Sequence, residues 1–273
     1  MKSKILGKVD FKEKQLQEDI NKILQFKFDN QYSDYYSTNW TISVLWNKTG
    51  LADDFKLENY EGEAKYTEFG VQLEYINTLI KETFNSEYIK WVRIFRLEHG
   101  IIMPHIDYSK LDKDFIRVHI PLQTDIKCLG SNEETVFHMR KGEVWFLDAG
   151  NVHSGANFSD SIRVTLCIDF SPNIEFDKIF RDDKKENSHI QPLLIDRPAI
   201  DNAYIESLKL LGELLREENF NDIVTLLAKE HFFRDISASA GYDYLIDVAK
   251  YSKDKKLIDK ALSLKKYYLK TSN

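Results

Sequence analysis

The chain has 273 residues, 42% hydrophobic and 13% aromatic, which suits one large domain or a domain with an appendage and excludes a disordered chain. A formal net charge of −6 gives no footing for nucleic-acid binding, and no stretch approaches the roughly 20 apolar residues of a membrane span. Cys128 and Cys167 are too few for a disulfide framework, and the opening apolar run is too short for a signal peptide, so the cytoplasm is the expected compartment.

In chain order, residues 5–9 read as a short strand. Residues 11–26 carry Leu16, Ile20, Ile23 and Leu24 at helical period. Residues 40–46 alternate like a strand, and residues 71–84 place Leu73, Ile76, Leu79 and Ile80 on one helical stripe. From 88 to 170 strands dominate, punctuated by turn signals at Gly100, 110–114, 130–132, Gly142 and Gly150. Residues 176–198 are polar and charged and read as a connector. Residues 200–215, 220–231, 242–251 and 256–269 read as four helices, a small cap or dimer-forming module. The expected division is a catalytic domain at 1–175, the connector at 176–198 and a helical domain at 199–273.

Two side-chain patterns carry chemistry. His105-Ile106-Asp107 with His153 offers two imidazoles and a carboxylate, the facial set associated with non-haem Fe(II) oxygenases. Arg163 follows His153 closely, and a site that also held a dicarboxylate would need such a cation. Strand phase supplies the second pattern. Around 115–122, Ile116, Val118, Ile120 and Leu122 share one face, and Arg117 and His119 the other. Around 162–169, Ile162, Val164, Leu166 and Ile168 oppose Arg163, Thr165, Cys167 and Asp169. Arg93 shares a face with Trp91 and Phe95, and Arg96 with Val92 and Ile94. An apolar face backed by sparse, placed polar groups is what a barrel with a polar interior produces. His119 and His138 fit either the pocket or the core. His99, His189 and His231 lack partners at ligand spacing and read as structural, and Trp145 reads as core.

Several blocks together resemble the bacterial free-proline cis-3 and cis-4 hydroxylases, relatives of the aspartyl/asparaginyl β-hydroxylases. They are Leu45-Trp46-Asn47-Lys48-Thr49-Gly50, Pro104-His105-Ile106-Asp107, Phe115-Ile116-Arg117-Val118-His119, the run from Phe137 to Ala149, Val152-His153-Ser154 and the Arg163 strand. Glu218-Asn219-Phe220 and Tyr242-Asp243-Tyr244-Leu245 resemble that family's C-terminal region. The resemblance implies a double-stranded β-helix core of the jelly-roll or cupin type, followed by helices. It implies Fe(II) at His105, Asp107 and His153, with 2-oxoglutarate and O2 as co-substrates. Arg163 matches the arginine that pairs with the far carboxylate of 2-oxoglutarate, and His119 the histidine beside it. Arg117 matches an arginine that holds the amino-acid carboxylate or lies beside the oxo-acid; by strand phase it is the first candidate for the substrate carboxylate and Arg93 the second, with Trp91 or Phe95 as an apolar wall. The family pattern has Arg between the two ligands where this chain has Ile106. Alternation along a strand should turn position 106 away from both ligands.

The expected reaction is hydroxylation of a free L-amino acid, foremost L-proline at the cis-3 or cis-4 position, with pipecolate or an acyclic amino acid as alternatives. A carboxylate at Asp107 argues against a halogenase, whose metal needs that position open. A metal cupin of another reaction type would have no use for Arg163. A non-catalytic small-molecule-binding cupin would have no use for an intact triad.

Overall fold

Alternation in the strands and a 3.6-residue period in the helices each create one apolar face, and the fold buries those faces against one another. The computed structural model describes residues 3–26, 40–107, 115–172, 174–182 and 190–270. His189 and the 110–114 turn lie outside these residues. The chain begins with β1 (Lys4–Lys8), α1 (Glu13–Ile23), β2 (Trp40–Asn47), the two-residue β3 (Lys65–Tyr66) and α2 (Glu74–Thr83). Next come β4 (Ile89–Leu97), β5 (Gly100–His105), β6 (Phe115–Gln123) and β7 (Cys128–Asn132). They are followed by β8 (Thr135–His138), β9 (Glu143–Phe146), β10 (His153–Asn157) and β11 (Arg163–Pro172). After β12 (Leu193–Leu194) the chain is helical, with α3 (Asn202–Lys209), α4 (Phe220–Phe233), α5 (Ala240–Ser252) and α6 (Lys255–Leu269).

The strands form two antiparallel sheets, ordered β1-β9-β6-β11-β4-β2-β3 and β12-β8-β7-β10-β5. This is the expected double-stranded β-helix. On the larger sheet, Val92, Ile94, Val118, Ile120, Val164, Leu166 and Ile168 are fully buried in one cluster with Leu16 and Ile20 of α1 and Ile76 and Ile80 of α2. On the smaller sheet, Ile101, Met103, Leu129 and Ala156 join Leu227, Leu245, Ala249 and Leu257 of the C-terminal helices in a second cluster. Helices therefore cover the outer face of each sheet, and the polar faces look inward at each other.

Two departures from the sequence expectation have local causes. The 71–84 helix starts later, because Gly70–Gln72 forms a separate one-turn 3-10 helix before α2. A Cβ at Gly70 would lie 2.1 Å from the Leu45 carbonyl oxygen, so the chain passes β2 there too closely for any other residue. The connector is also more than a linker. Leu193 and Leu194 pair with His138 and Phe137 as an edge strand, and Ile179 and Phe180 are buried in the first cluster. Among the described residues no helix is long and apolar enough to cross a membrane. Both cysteines are free and buried.

Candidate metal centre and co-substrate pocket

His105 ends β5, His153 begins β10, and the two are direct antiparallel partners. Pairing thus brings the two rings to a centroid separation of 4.3 Å. Asp107 lies just beyond the strand end, where its N–H donates to the Ala149 carbonyl at 3.1 Å. One ligand atom from each of the three side chains falls within 4.8 Å of the others.

The surroundings set the protonation of this set. His105 Nδ1 lies 2.7 Å from the Met103 carbonyl and His153 Nδ1 lies 3.0 Å from that of Asn151. A carbonyl only accepts, so each Nδ1 carries a proton and Nε2 is the ring nitrogen turned toward Asp107, the one a metal would take. Those Nε2 atoms lie 3.4 and 3.9 Å from Asp107 Oδ1. Burial, then His105, pushes the His153 pKa down to about 4, so it is neutral at pH 7. For Asp107, burial works against ionisation, but the His105 hydrogen bond, His153 and Arg117 outweigh it and hold the carboxyl well below its usual range. Two imidazoles and one carboxylate on one side of a cavity fit an octahedral ferrous ion with its other face open.

Behind the triad runs a buried charge chain. Arg117 donates Nη1–H to Asp107 Oδ2 at 2.7 Å and Nε–H to Asp169 Oδ1 at 2.6 Å. Asp169, fully buried, accepts from Arg93 Nη2 at 2.5 Å through its other oxygen. Strand register explains the grouping: Asp169 of β11 pairs with Arg117 of β6 on one side and with Trp91 of β4 on the other. The Arg93 guanidinium lies over the Trp91 ring at 3.8 Å and near Phe95 at 4.9 Å, where cation–π attraction offsets part of its desolvation.

Arg163 starts β11 and reaches across to the other sheet, donating Nη1–H to the Leu129 carbonyl at 3.1 Å. Its Nη2 has only the Met139 Sδ at 3.7 Å, and none of the described carboxylates pairs with it. A buried guanidinium held by a carbonyl and a thioether is suited to an incoming anion. His119 is pushed down to about 3 by burial, then by Arg117 and Arg93, so it is neutral, and its buried Nδ1 has no hydrogen-bond partner.

The triad, Arg93, Arg117, His119, Arg163 and Trp91 all border one cavity of about 350 Å³. His138 does not; its Nδ1 bonds the Cys128 carbonyl at 2.9 Å as a core histidine. His99 lies 3.4 Å from the Ser159 carbonyl, and His231 joins α4 to Ser131 of β7 at 3.0 Å. Trp145 is fully buried and stacks on Phe137 at 4.7 Å. Ile106 departs from expectation: strand alternation stops at His105, and Ile106 contributes to the cavity wall instead of turning away. Sequence reasoning missed Trp40, Phe55, Leu57 and Lys270 as cavity residues. Phe55 and Leu57 had a signal, as isolated apolar residues in the polar run from Asp53 to Glu58. Lys270 had none, because only helix docking brings it there.

The profile of the aspartyl/asparaginyl β-hydroxylase family matches residues 10–172, and that of the L-proline 3-hydroxylase C-terminal region matches residues 176–272. L-proline cis-4-hydroxylase of Rhizobium meliloti (strain 1021) is 34% identical over 270 residues, covering 98% of this chain and 96% of that protein. L-proline cis-3-hydroxylase 2 of Streptomyces sp is 31% identical over 274 residues, covering 98% and 94%. The chain therefore belongs to the aspartyl/asparaginyl β-hydroxylase family, with L-proline cis-hydroxylases as relatives along nearly its whole length.

Proposed function

We propose that the chain is an Fe(II)- and 2-oxoglutarate-dependent dioxygenase that hydroxylates free L-proline at C3 or C4 in the cis sense. The carrying observation is the convergence of His105, Asp107, His153 and Arg163 on one cavity, in a chain with proline cis-hydroxylases as relatives. His105, Asp107 and His153 hold the iron. Arg117 occupies Asp107 Oδ2 and leaves Oδ1, the oxygen facing both Nε2 atoms, for the metal. Arg163 takes the far carboxylate of 2-oxoglutarate, and the neutral His119 offers a hydrogen bond beside it. Arg117 and Arg93, with Trp91, form the substrate wall.

When bound, iron with 2-oxoglutarate and O2 supplies the oxidising power: 2-oxoglutarate becomes succinate and CO2, and one oxygen atom enters a C–H bond of the substrate. The protein binds, orients and excludes water. A cavity of about 350 Å³ lies at the small end of ligand sites, which span roughly 300–1,000 Å³. That size suits two small acids better than a peptide chain. Incubation of the Fe(II)-loaded protein with 2-oxoglutarate and a panel of free amino acids, pipecolate and proline-containing peptides tests the reading. Hydroxyproline from L-proline is expected. Activity on a peptide and on no free amino acid contradicts the proposal.

A further inference from the structure

We propose that Asn132 and Ser3 are positioning residues of the metal centre: together they lock the crossover at residues 147–152, whose carbonyls hold Asp107 and His153. This role rests on the reading of His105, Asp107 and His153 as iron ligands.

The chain leaves the larger sheet at the end of β9 and enters the smaller sheet at the start of β10, so residues 147–152 cross from one to the other. Two carbonyls of this crossover serve metal-ligating residues. That of Ala149 accepts from the Asp107 N–H at 3.1 Å, and that of Asn151 accepts from His153 Nδ1 at 3.0 Å. The first bond sets the backbone of one ligand, and the second sets the ring of another. A shift of the crossover therefore moves both.

A closed ring of three hydrogen bonds fixes Asp148 within the crossover. The Asp148 N–H donates to Ser3 Oγ at 2.9 Å, the Ser3 hydroxyl donates to Asn132 Oδ1 at 3.1 Å, and Asn132 Nδ2 donates to the Asp148 carbonyl at 3.2 Å. Both backbone groups of Asp148 are satisfied this way. Ser3 lies just ahead of β1 in the larger sheet, and Asn132 ends β7 in the smaller sheet, directly opposite His153. The ring thus ties the two sheets together at the crossover. Asn132 and Ser3 are only 1% and 2% exposed, so water does not compete for these bonds. Asn151 is braced against the same residue: its N–H donates to the Asp148 carbonyl at 3.2 Å, and its Nδ2 donates to Asp148 Oδ2 at 2.7 Å. A continuous chain of bonds therefore runs from Asn132 through Asp148 and Asn151 to the His153 ring. Asn132 and Ser3 stand outside the cavity wall, so both act on the metal ligands through the crossover.

Wild type is compared with Asn132→Ala, Ser3→Ala, the double variant and Ile76→Ala, a change in the first apolar cluster and outside the cavity. Ni(II) affinity, the Co(II) ligand-field spectrum and the urea midpoint are measured for each. Asn132→Ala should weaken Ni(II) binding roughly tenfold to a hundredfold and alter the Co(II) spectrum, as the loss of groups that orient ligands does. Ser3→Ala should act in the same direction, by roughly tenfold. The double variant should lose no more than Asn132→Ala alone, because both residues close one ring. Ile76→Ala should lower the urea midpoint and leave Ni(II) affinity and the Co(II) spectrum as in wild type. Unchanged Ni(II) affinity in either single variant overturns the proposal. So do losses that add in the double variant, or an equal loss of Ni(II) affinity in Ile76→Ala, which would reduce the ring to a support for the fold at large. If Asn132→Ala yields no folded protein, Ser3→Ala decides by the same readouts. A wild type that binds no Ni(II) removes the iron-site reading and this inference together, whereas wild-type binding with indifferent Asn132 and Ser3 variants removes this inference alone.

Discussion

Arg117 holds Asp107 by the oxygen that faces away from the two histidines. Its Nη1 lies 2.7 Å from Oδ2, while Oδ1 lies 3.4 Å from His105 Nε2 and 3.9 Å from His153 Nε2. The carboxylate is thereby preset to offer one oxygen to a metal. Such hydrogen bonds to ligands fix their orientation and commonly change metal affinity tenfold to a hundredfold when lost.

Arg117→Ala should therefore do two things. It leaves Asp169 buried with Arg93 as its remaining partner, a loss worth about 3–5 kcal/mol by comparison with other broken buried pairs. It also frees Asp107, which should weaken Ni(II) binding by roughly tenfold to a hundredfold. Urea unfolding and a Ni(II) titration read the two effects. Unchanged metal affinity would confine Arg117 to the substrate wall.

His105→Ala, Asp107→Ala and His153→Ala should each abolish iron-dependent turnover and the ligand-field spectrum of the Co(II) form. Circular dichroism should remain near wild type, because the three side chains line a cavity and not the apolar clusters. A variant that keeps both turnover and spectrum shows that its residue is no ligand.

Arg163→Ala should raise the 2-oxoglutarate KM by at least roughly thirtyfold, since a buried anion loses its charged partner. The KM for L-proline should change far less. An unchanged 2-oxoglutarate KM would place that anion elsewhere.

Acid should destabilise the fold from about pH 6.5 downward through its buried histidines. His231 and His119 are pushed to about 3, and His153 to about 4, mainly by burial, against 6.5 in an unfolded chain. Between those values the unfolded state binds more protons. The stability is fully present above pH 6.5 and is lost as pH falls through the window. At pH 5 each histidine costs about 2 kcal/mol. His231 lies away from the cavity, so His231→Gln should flatten the fall in urea midpoint between pH 6.5 and 5. An equally steep fall in that variant would assign the effect to other groups.

Much of this architecture was legible in the sequence because strand period is local. Alternation placed Arg117, His119, Arg163 and Thr165 on faces opposite the apolar residues, and those four border the cavity. It failed at Ile106 because β5 ends at His105, and no local signal marks a strand's last residue. The edge strand at Leu193 and Leu194 was hidden in a polar stretch, where pairing with β8 supplies what propensity does not. Lys270 meets Ile106 only through the docking of α6, a contact between distant parts of the chain that periodicity cannot report.

In this cavity 2-oxoglutarate decarboxylation is coupled to hydroxylation of free L-proline. Turnover under ¹⁸O₂, with both products analysed by mass spectrometry, tests it most directly. One labelled oxygen is expected in cis-3- or cis-4-hydroxyproline and the other in succinate, formed in equal amounts. Succinate without hydroxyproline, or hydroxyproline whose oxygen comes from water, would contradict it.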